Sequence, residues 1–257
     1  MERRLAAALA FLLLTCSAAA AFADDARAEK FAYEVRWGEA KVADLQLQVG
    51  CPRASYQPAM LAAKSLGVAD QIHAFRVRFD SFVDRSGHSL EGRTYIREEG
   101  VPRSFKSRFQ TDDTVDVTSH FEKTTREETF RLPDRGHDLL SWMLALRHHE
   151  LAPGKTYSYY VWDGWKLSRI EATVGKVGRV WTPLKVFRAF PISLVRTRLR
   201  FRGPRLFTPK ADPDELGTLW LGTGERHVPV AMTYDAPIGT ARVVLSRATT
   251  KSCSTQR

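Results

Sequence analysis

The sequence predicts a mainly β protein: a curved antiparallel sheet, half-barrel or barrel-like in form, with one central amphipathic helix. Three observations lead there. Apolar and polar residues alternate along most of the chain, short turn signals separate the alternating runs, and a single segment switches to a helical period. Alternation sends every second side chain to one face, so each run reads as a strand with one buried side. Many such runs in succession, with no Ser/Gly/Pro-rich linker and no internal repeat, argue for one sheet that curls or closes.

The strands follow in order. "FAYEVRWG" puts Phe31, Tyr33, Val35 and Trp37 on one face, and "VADLQLQVG" adds Leu45, Leu47 and Val49. In "HAFRVRFDSFVD", Phe75, Val77 and Phe79 face inward while Arg76 and Arg78 face outward. "RSFKSRF" sets Phe105 and Phe109 against Lys106 and Arg108. "KTYSYYVW" and "WKLSRIEATV" flank Asp163-Gly164. That pair predicts a type I′ hairpin, which needs positive φ at both central residues. "VPVAMTY" and "TARVVLSRA" flank Pro237-Ile238-Gly239 and predict another hairpin.

The helical segment is "DLLSWMLALRHHELAPG". Leu139, Trp142, Met143 and Leu146 recur at i, i+3, i+4 and i+7. Asp138 stands where it would cap the start, Arg147, His148 and His149 suit the negative end of the dipole, and Pro153-Gly154 ends the run. Leu140 and Leu144 widen the apolar face beyond one stripe, so this helix requires burial on more than one side. A sheet curved around it provides that.

In "LVRTRLRFR", Arg196, Arg198, Arg200 and Arg202 alternate with Val195, Thr197, Leu199 and Phe201. A strand here carries four guanidiniums on one face and an apolar stripe on the other. Two partners suit that face. The acidic region from Asp112 to Arg131 offers Glu122, Glu127 and Glu128 for cross-strand pairs worth about 0.2–1 kcal/mol each. Alternatively the four arginines bind an anionic ligand, since guanidinium forks grip phosphate bidentately.

The first residues give the compartment. A basic start (Arg3, Arg4), the apolar run Leu5 to Leu14 and the small-residue site Ala21-Phe22-Ala23 form the three-part pattern of a signal peptide. The expected organisation is a signal peptide over 1–23 and a single β-rich domain over 24–257, exported to the periplasm. The alternative is a lipid anchor at Cys16 in "LLTC", although Thr15 replaces the small residue that such signals prefer. The full chain carries a formal charge of +10, and losing Glu2, Arg3 and Arg4 lowers it by one, to +9. A basic exported protein suits an anionic lipid or another acidic envelope component. Export removes nucleic acid as a partner.

Cys51 and Cys253 remain after cleavage and can pair in an oxidising compartment. They show no C-x-x-C spacing, and the adjacent His148 and His149 point about 100° apart on a helix, so no metal site is expected. No G-x-S-x-G, H-E-x-x-H or phosphate-cradling glycine loop occurs. Neither cofactor nor catalytic residue is expected, and the chain reads as a non-enzymatic monomer. Trp162 and Trp165 read as cross-strand packing.

Several runs together, "FAYEVRWG", "AKSLGVADQIHAFRVRFDSFVD", "DLLSWMLALRHHELAPGKTYSYYVWDGWKLSRIEATV" and "LWLGTGERHVPVAM", resemble the exported bacterial family of domain of unknown function 3108. The resemblance runs from about Phe31 to Leu245. Its most specific positions are Asp138, Ser141 and Arg147 ahead of Pro153-Gly154, and Trp220 followed by Pro229-Val230. It implies an exported, mostly β protein with no known enzymatic activity. The function expected from the residues is to bind or shield an apolar or anionic ligand such as lipid, held in an apolar interior with arginines near the mouth. The alternative is a protein-interaction module of envelope assembly with a filled core.

Overall fold

The computed structural model describes residues 26–203, 206–236 and 239–253; residues 1–23, with Cys16, and the Pro237-Ile238 turn lie outside them. The first described strand lies in the middle of the sheet. From β1 (Arg27–Trp37) the chain meanders outward through β2 (Ala40–Val49), β3 (Gln57–Ser65), a short helix α1 (Gly67–Ile72) and β4 (Phe75–Val83). β5 (Ser89–Glu98), β6 (Val101–Phe109), β7 (Thr114–Phe121) and β8 (Thr124–Arg131) follow to one edge. After helix α2 (Ser141–Arg147) it resumes at the opposite edge with β9 (Thr156–Trp162) and β10 (Leu167–Val174). β11 (Gly178–Trp181), the long β12 (Val186–Gly203), β13 (Leu206–Pro209), β14 (Asp214–Gly222), β15 (Pro229–Ala236) and β16 (Gly239–Ser252) complete it.

All pairings between these strands are antiparallel. The spatial order is β8-β7-β6-β5-β4-β3-β2-β1-β16-β15-β14-β12-β10-β9, with β11 and β13 added to β12. Two meanders therefore meet where β16 pairs with β1. Cys51, just past β2, and Cys253, just past β16, form a disulfide with Cα atoms 5.7 Å apart. The bond staples the two neighbours of β1 together. It closes a loop of 202 residues, which in the chain-entropy picture removes about 5 kcal/mol of unfolded-state freedom.

Because β8 and β9 are opposite edges, the segment joining them must cross the curved sheet, and the helix lies on that crossing. Its apolar residues divide between two cores. Leu140 and Leu144 belong to one core with Phe31, Tyr33, Leu47 and Leu245, while Trp142 and Leu146 belong to another with Tyr159, Ile170, Ile192 and Leu219. The broad apolar face predicted for this helix is thus used on both sides, and the space between helix and sheet is filled.

A polar tie fixes each end of the helix. At the start, Asp138 is buried and its Oδ1 accepts the backbone N–H groups of Leu140 and Ser141, each at 2.8 Å. Its Oδ2 accepts Ser81 Oγ at 2.6 Å. The Asp138 N–H donates to Ser89 Oγ at 2.7 Å, and Ser89 and Ser141 share a further hydrogen bond at 2.6 Å. At the finish, Arg147 is only 7% exposed. Its Nη2 donates to Glu29 Oε2 at 2.7 Å and its Nε to the Arg226 carbonyl at 3.1 Å. Its guanidinium also lies over the Phe31 ring at 5.8 Å.

The sheet does not close edge to edge; it rolls past closure like a scroll. In β9 and β10, Tyr159, Val161 and Ile170 meet the helix, while Trp162 and Leu167 meet Val115 and Val117 of β7. Adjacent residues of a strand point to opposite faces, so helix and β7 cover opposite sides of the same strands. The face that β7 offers is the inner one: Val117 lies across from Ser107, and Ser107 across from Gly92, beside buried Asp138. The seam is fastened by the His137 backbone, which donates to the Tyr160 carbonyl and accepts the Trp162 N–H, both at 2.8 Å. The Phe130 and Trp162 rings meet across it with centroids 4.7 Å apart.

The overlap also corrects the Asp163-Gly164 turn. The loop is longer than a two-residue type I′ hairpin, and of the pair only Gly164 has positive φ, at 108°. Asp163 instead turns its carboxylate back onto the N–H groups of Trp165 and Lys166. A Cβ at Gly164 would stand 2.9 Å from the Phe105 side chain of the overlying flank, so close packing at the seam demands glycine. Trp165 packs on that flank too, stacked on Phe121 at 5.6 Å and edge-on to Phe105 at 5.2 Å.

Two measurements check these ties. Arg147→Ala leaves the buried Glu29 carboxylate with only the more distant Arg226, 3.6 Å from its Oε1, and should lower the unfolding free energy in urea by about 3 kcal/mol. Pairing Arg147→Met with Glu29→Leu should recover part of that loss, and a loss below about 1 kcal/mol for the single variant contradicts the tie. His137 is buried against His88, and desolvation first, then the neighbouring ring, hold its pKa down to about 4. The folded imidazole stays neutral where the unfolded one takes up a proton, so its contribution is whole above about pH 6.5 and is lost as pH falls through about 4. Between pH 7 and 4 the wild type should lose roughly 3 kcal/mol more than His137→Asn. Burial raises the pKa of Asp138 and acts in the opposite sense, and it is common to both proteins.

Candidate functional site

At one end of the overlap the two flanks part and leave a cleft. Its floor is apolar: Phe130 from β8, Trp162 and Leu167 from the β9–β10 hairpin, and Leu199 and Phe201 from β12, joined by Phe207 of β13. Its rim is cationic: Arg131, Lys166, Arg198, Arg200 and Lys210. No carboxylate lines it among the described residues. The cleft encloses about 280 Å³.

The origin of this arrangement is local. β12 is eighteen residues long and outruns its neighbours, so its last turns leave the core. Up to Leu194 one side of the strand is apolar, with Ile192 and Leu194 in the helix-facing core. Across from β10, Leu194 opposes Ala172, Arg196 opposes Ile170 and Arg198 opposes Ser168, without a register slip. The arginine row is therefore the continuation of the core-facing side beyond the helix. The supposed stripe is mixed: Thr197 is buried, Leu199 is half-buried in the seam, and Phe201 is exposed.

The four arginines separate by role. Arg196 is half-buried and donates to Asp214 Oδ2 at 3.0 Å, with Arg198 at 3.5 Å from the same oxygen. Arg198 and Arg200 border the cleft. Arg202 sits at a ladder irregularity between Phe201 and Gly203, is exposed and does not line the cleft. Among the described residues Arg200 and Arg202 make no ion pair. The acidic partner is Asp214 of the adjacent β14, not the predicted Glu122, Glu127 or Glu128, because β7 and β8 are not hydrogen-bonded to β12. Those three glutamates form no ion pair among the described residues.

The remaining predicted positions serve the frame. Cys51 and Cys253 form the disulfide. Asp138, Ser141 and Arg147 hold the helix, as described above. Trp220 packs against Gly178 of β11, and the Pro229 carbonyl accepts the Tyr33 hydroxyl at 2.9 Å. Ser141 Oγ lies 3.3 Å from His137 Nδ1, a spacing that suggests nucleophile and base, but Ser141 is 0% exposed. Its hydroxyl is engaged by Ser89 and the Asp138 N–H, so the pair is part of the polar tie. Sequence reasoning missed Arg131, Lys166, Lys210 and the meeting of Phe130 with Phe207 in one floor, because these residues are spread over separate elements and share no local pattern.

Comparison with known proteins supports the architecture. A β-barrel-like protein of domain of unknown function DUF1849 from Brucella abortus aligns with a TM-score of 0.59 at 10% identity, covering 89% of this chain and 100% of that one. It shares the fold. A protein with YmcC-like fold from Bacteroides fragilis aligns at 11% identity over 88% of this chain and 96% of that one, but with a TM-score of only 0.30. No curated protein matches the sequence. The pattern described as "Protein of unknown function (DUF3108)" matches residues 32–246, and the chain belongs to that family.

Proposed function

We propose that the protein is an exported, non-enzymatic binding protein whose seam cleft holds an amphiphile, with an anionic head on the guanidinium rim and an acyl segment on the aromatic floor. The observation that carries this reading is the pairing of an apolar floor with five cations, of which only Arg198 has a carboxylate, Asp214, beside it among the described residues. Paired guanidiniums favour phosphate geometry, and the floor removes hydrocarbon from water. The disulfide is consistent with export to an oxidising compartment, and the basic-apolar-small start of the sequence supports it. The ligand sits at the seam, not in the interior first expected, because the helix and its two cores fill that space. The filled interior also favours a second reading, a protein-interaction module of envelope assembly whose acidic partner meets the same rim.

Native mass spectrometry and calorimetry with dihexanoyl phosphatidylglycerol separate the two. The wild type should bind one molecule, and Arg198→Glu with Arg200→Glu should weaken binding roughly tenfold or more, since each lost charge-assisted contact is worth on the order of 1.5–3 kcal/mol. Absence of binding, or equal binding by the variant, removes the amphiphile reading and leaves the partner reading.

A further inference from the structure

A second surface lies at the other end of β12 and is built from the β11–β12 hairpin. Its ladder pairs Arg179 with Arg188 and Trp181 with Val186. Alternation places these four side chains on one face, and all four are exposed. Trp181 is 73% exposed, and Leu184 in the turn is 43% exposed. The opposite face is the anchored one, with Val180 buried and Phe187 packed against the core. The Trp181 carbonyl accepts Arg242 from β16 at 3.0 Å, which ties the hairpin to the body of the sheet.

Two features of this face ask for an anionic counterpart. Like charges directly opposite on a ladder are destabilising, yet Arg179 and Arg188 stand opposite one another and neither makes an ion pair among the described residues. The charge is also regional. From Ala172 to Ala211 there is no Asp or Glu, while Lys and Arg occur ten times. An exposed tryptophan and leucine between cations is the composition that settles at the headgroup level of a bilayer, where an indole has one wet end and one apolar end.

We infer that the outer face of the β11–β12 hairpin docks the protein on an anionic lipid bilayer, with Trp181 and Leu184 entering the interface and Arg179 and Arg188 meeting lipid phosphates. Twelve residues separate Val186 from Arg198, about 40 Å along the strand. The docking face is thus distinct from the cleft, and the inference stands apart from the amphiphile reading.

The test is co-sedimentation of the disulfide-bonded protein with vesicles of phosphatidylcholine containing phosphatidylglycerol, against vesicles of phosphatidylcholine alone. The wild type should partition onto the anionic vesicles and be released by high salt. Arg179→Glu with Arg188→Glu should lower partitioning roughly tenfold or more, and Trp181→Ser with Leu184→Ser roughly tenfold. All four positions are exposed, so melting temperatures should stay near that of the wild type. Arg198→Glu with Arg200→Glu should keep most of the vesicle binding. The inference is overturned if the wild type ignores anionic vesicles, if both hairpin variants bind as well as it does, or if only the cleft variant loses binding.

Discussion

A short oily helix buried inside a rolled sheet has to keep one orientation, and apolar packing alone is poor at enforcing that. Here two polar ties do so. The Asp138 carboxylate at the start and the Arg147 guanidinium at the finish are both buried, and neither survives burial without its partners. Asp138 reaches β4 through Ser81, and Ser89 of β5 meets its backbone; Arg147 reaches β1 through Glu29. The ties therefore join the helix to three strands of the first meander. The apolar contacts of Trp142 and Leu146 join it to the second. Remove the ties and the two halves of the roll lose the element that sets their spacing.

Overlap rather than closure follows from that spacing. With the helix between them, the two edges do not meet in one plane, so the β6–β8 flank passes over the outside of β9 and β10. The β9 edge is then capped by the His137 backbone and packed by Phe130 rather than paired with a full strand, while β8 stays an exposed edge, and sheets manage such edges by covering or charging them. β8 reinforces this with its own charges, Arg126, Glu127 and Glu128. The cleft lies where β12 runs on beyond its pairing with β10 and β14. One strand contributes to the docking hairpin, the central core and the cleft in turn, and the change from apolar to basic along its length marks those three environments.

The alternation made most of the sheet legible, because a half-buried strand needs little more than period two. The helix was legible from its period, and its unusually wide apolar face foretold the two cores. Asp138 and Arg147 stood out as polar residues at its ends, but their partners did not: Glu29 is 118 positions from Arg147, and Ser81 is 57 from Asp138. The seam was invisible for the same reason. Phe130 and Trp162 meet only because the edges overlap, and overlap depends on how far the roll turns. Local charge also misled. Glu127 and Glu128 face solvent on an edge strand, and a single aspartate on the neighbouring strand is enough to engage two of the arginines.

Pairing of the first strand with the last has a cost in time. Arg27 lies against Ser252 and Trp37 against Ala241, so that ladder forms only when almost the whole chain is present. Until then the early meander exposes β1 as a bare hydrogen-bonding edge, open to pairing with other chains. Contacts of such long sequence separation form slowly. A chain that crosses a membrane starting from its amino end would need its exposed edge shielded during passage, and its final act of assembly would be the arrival of its own tail.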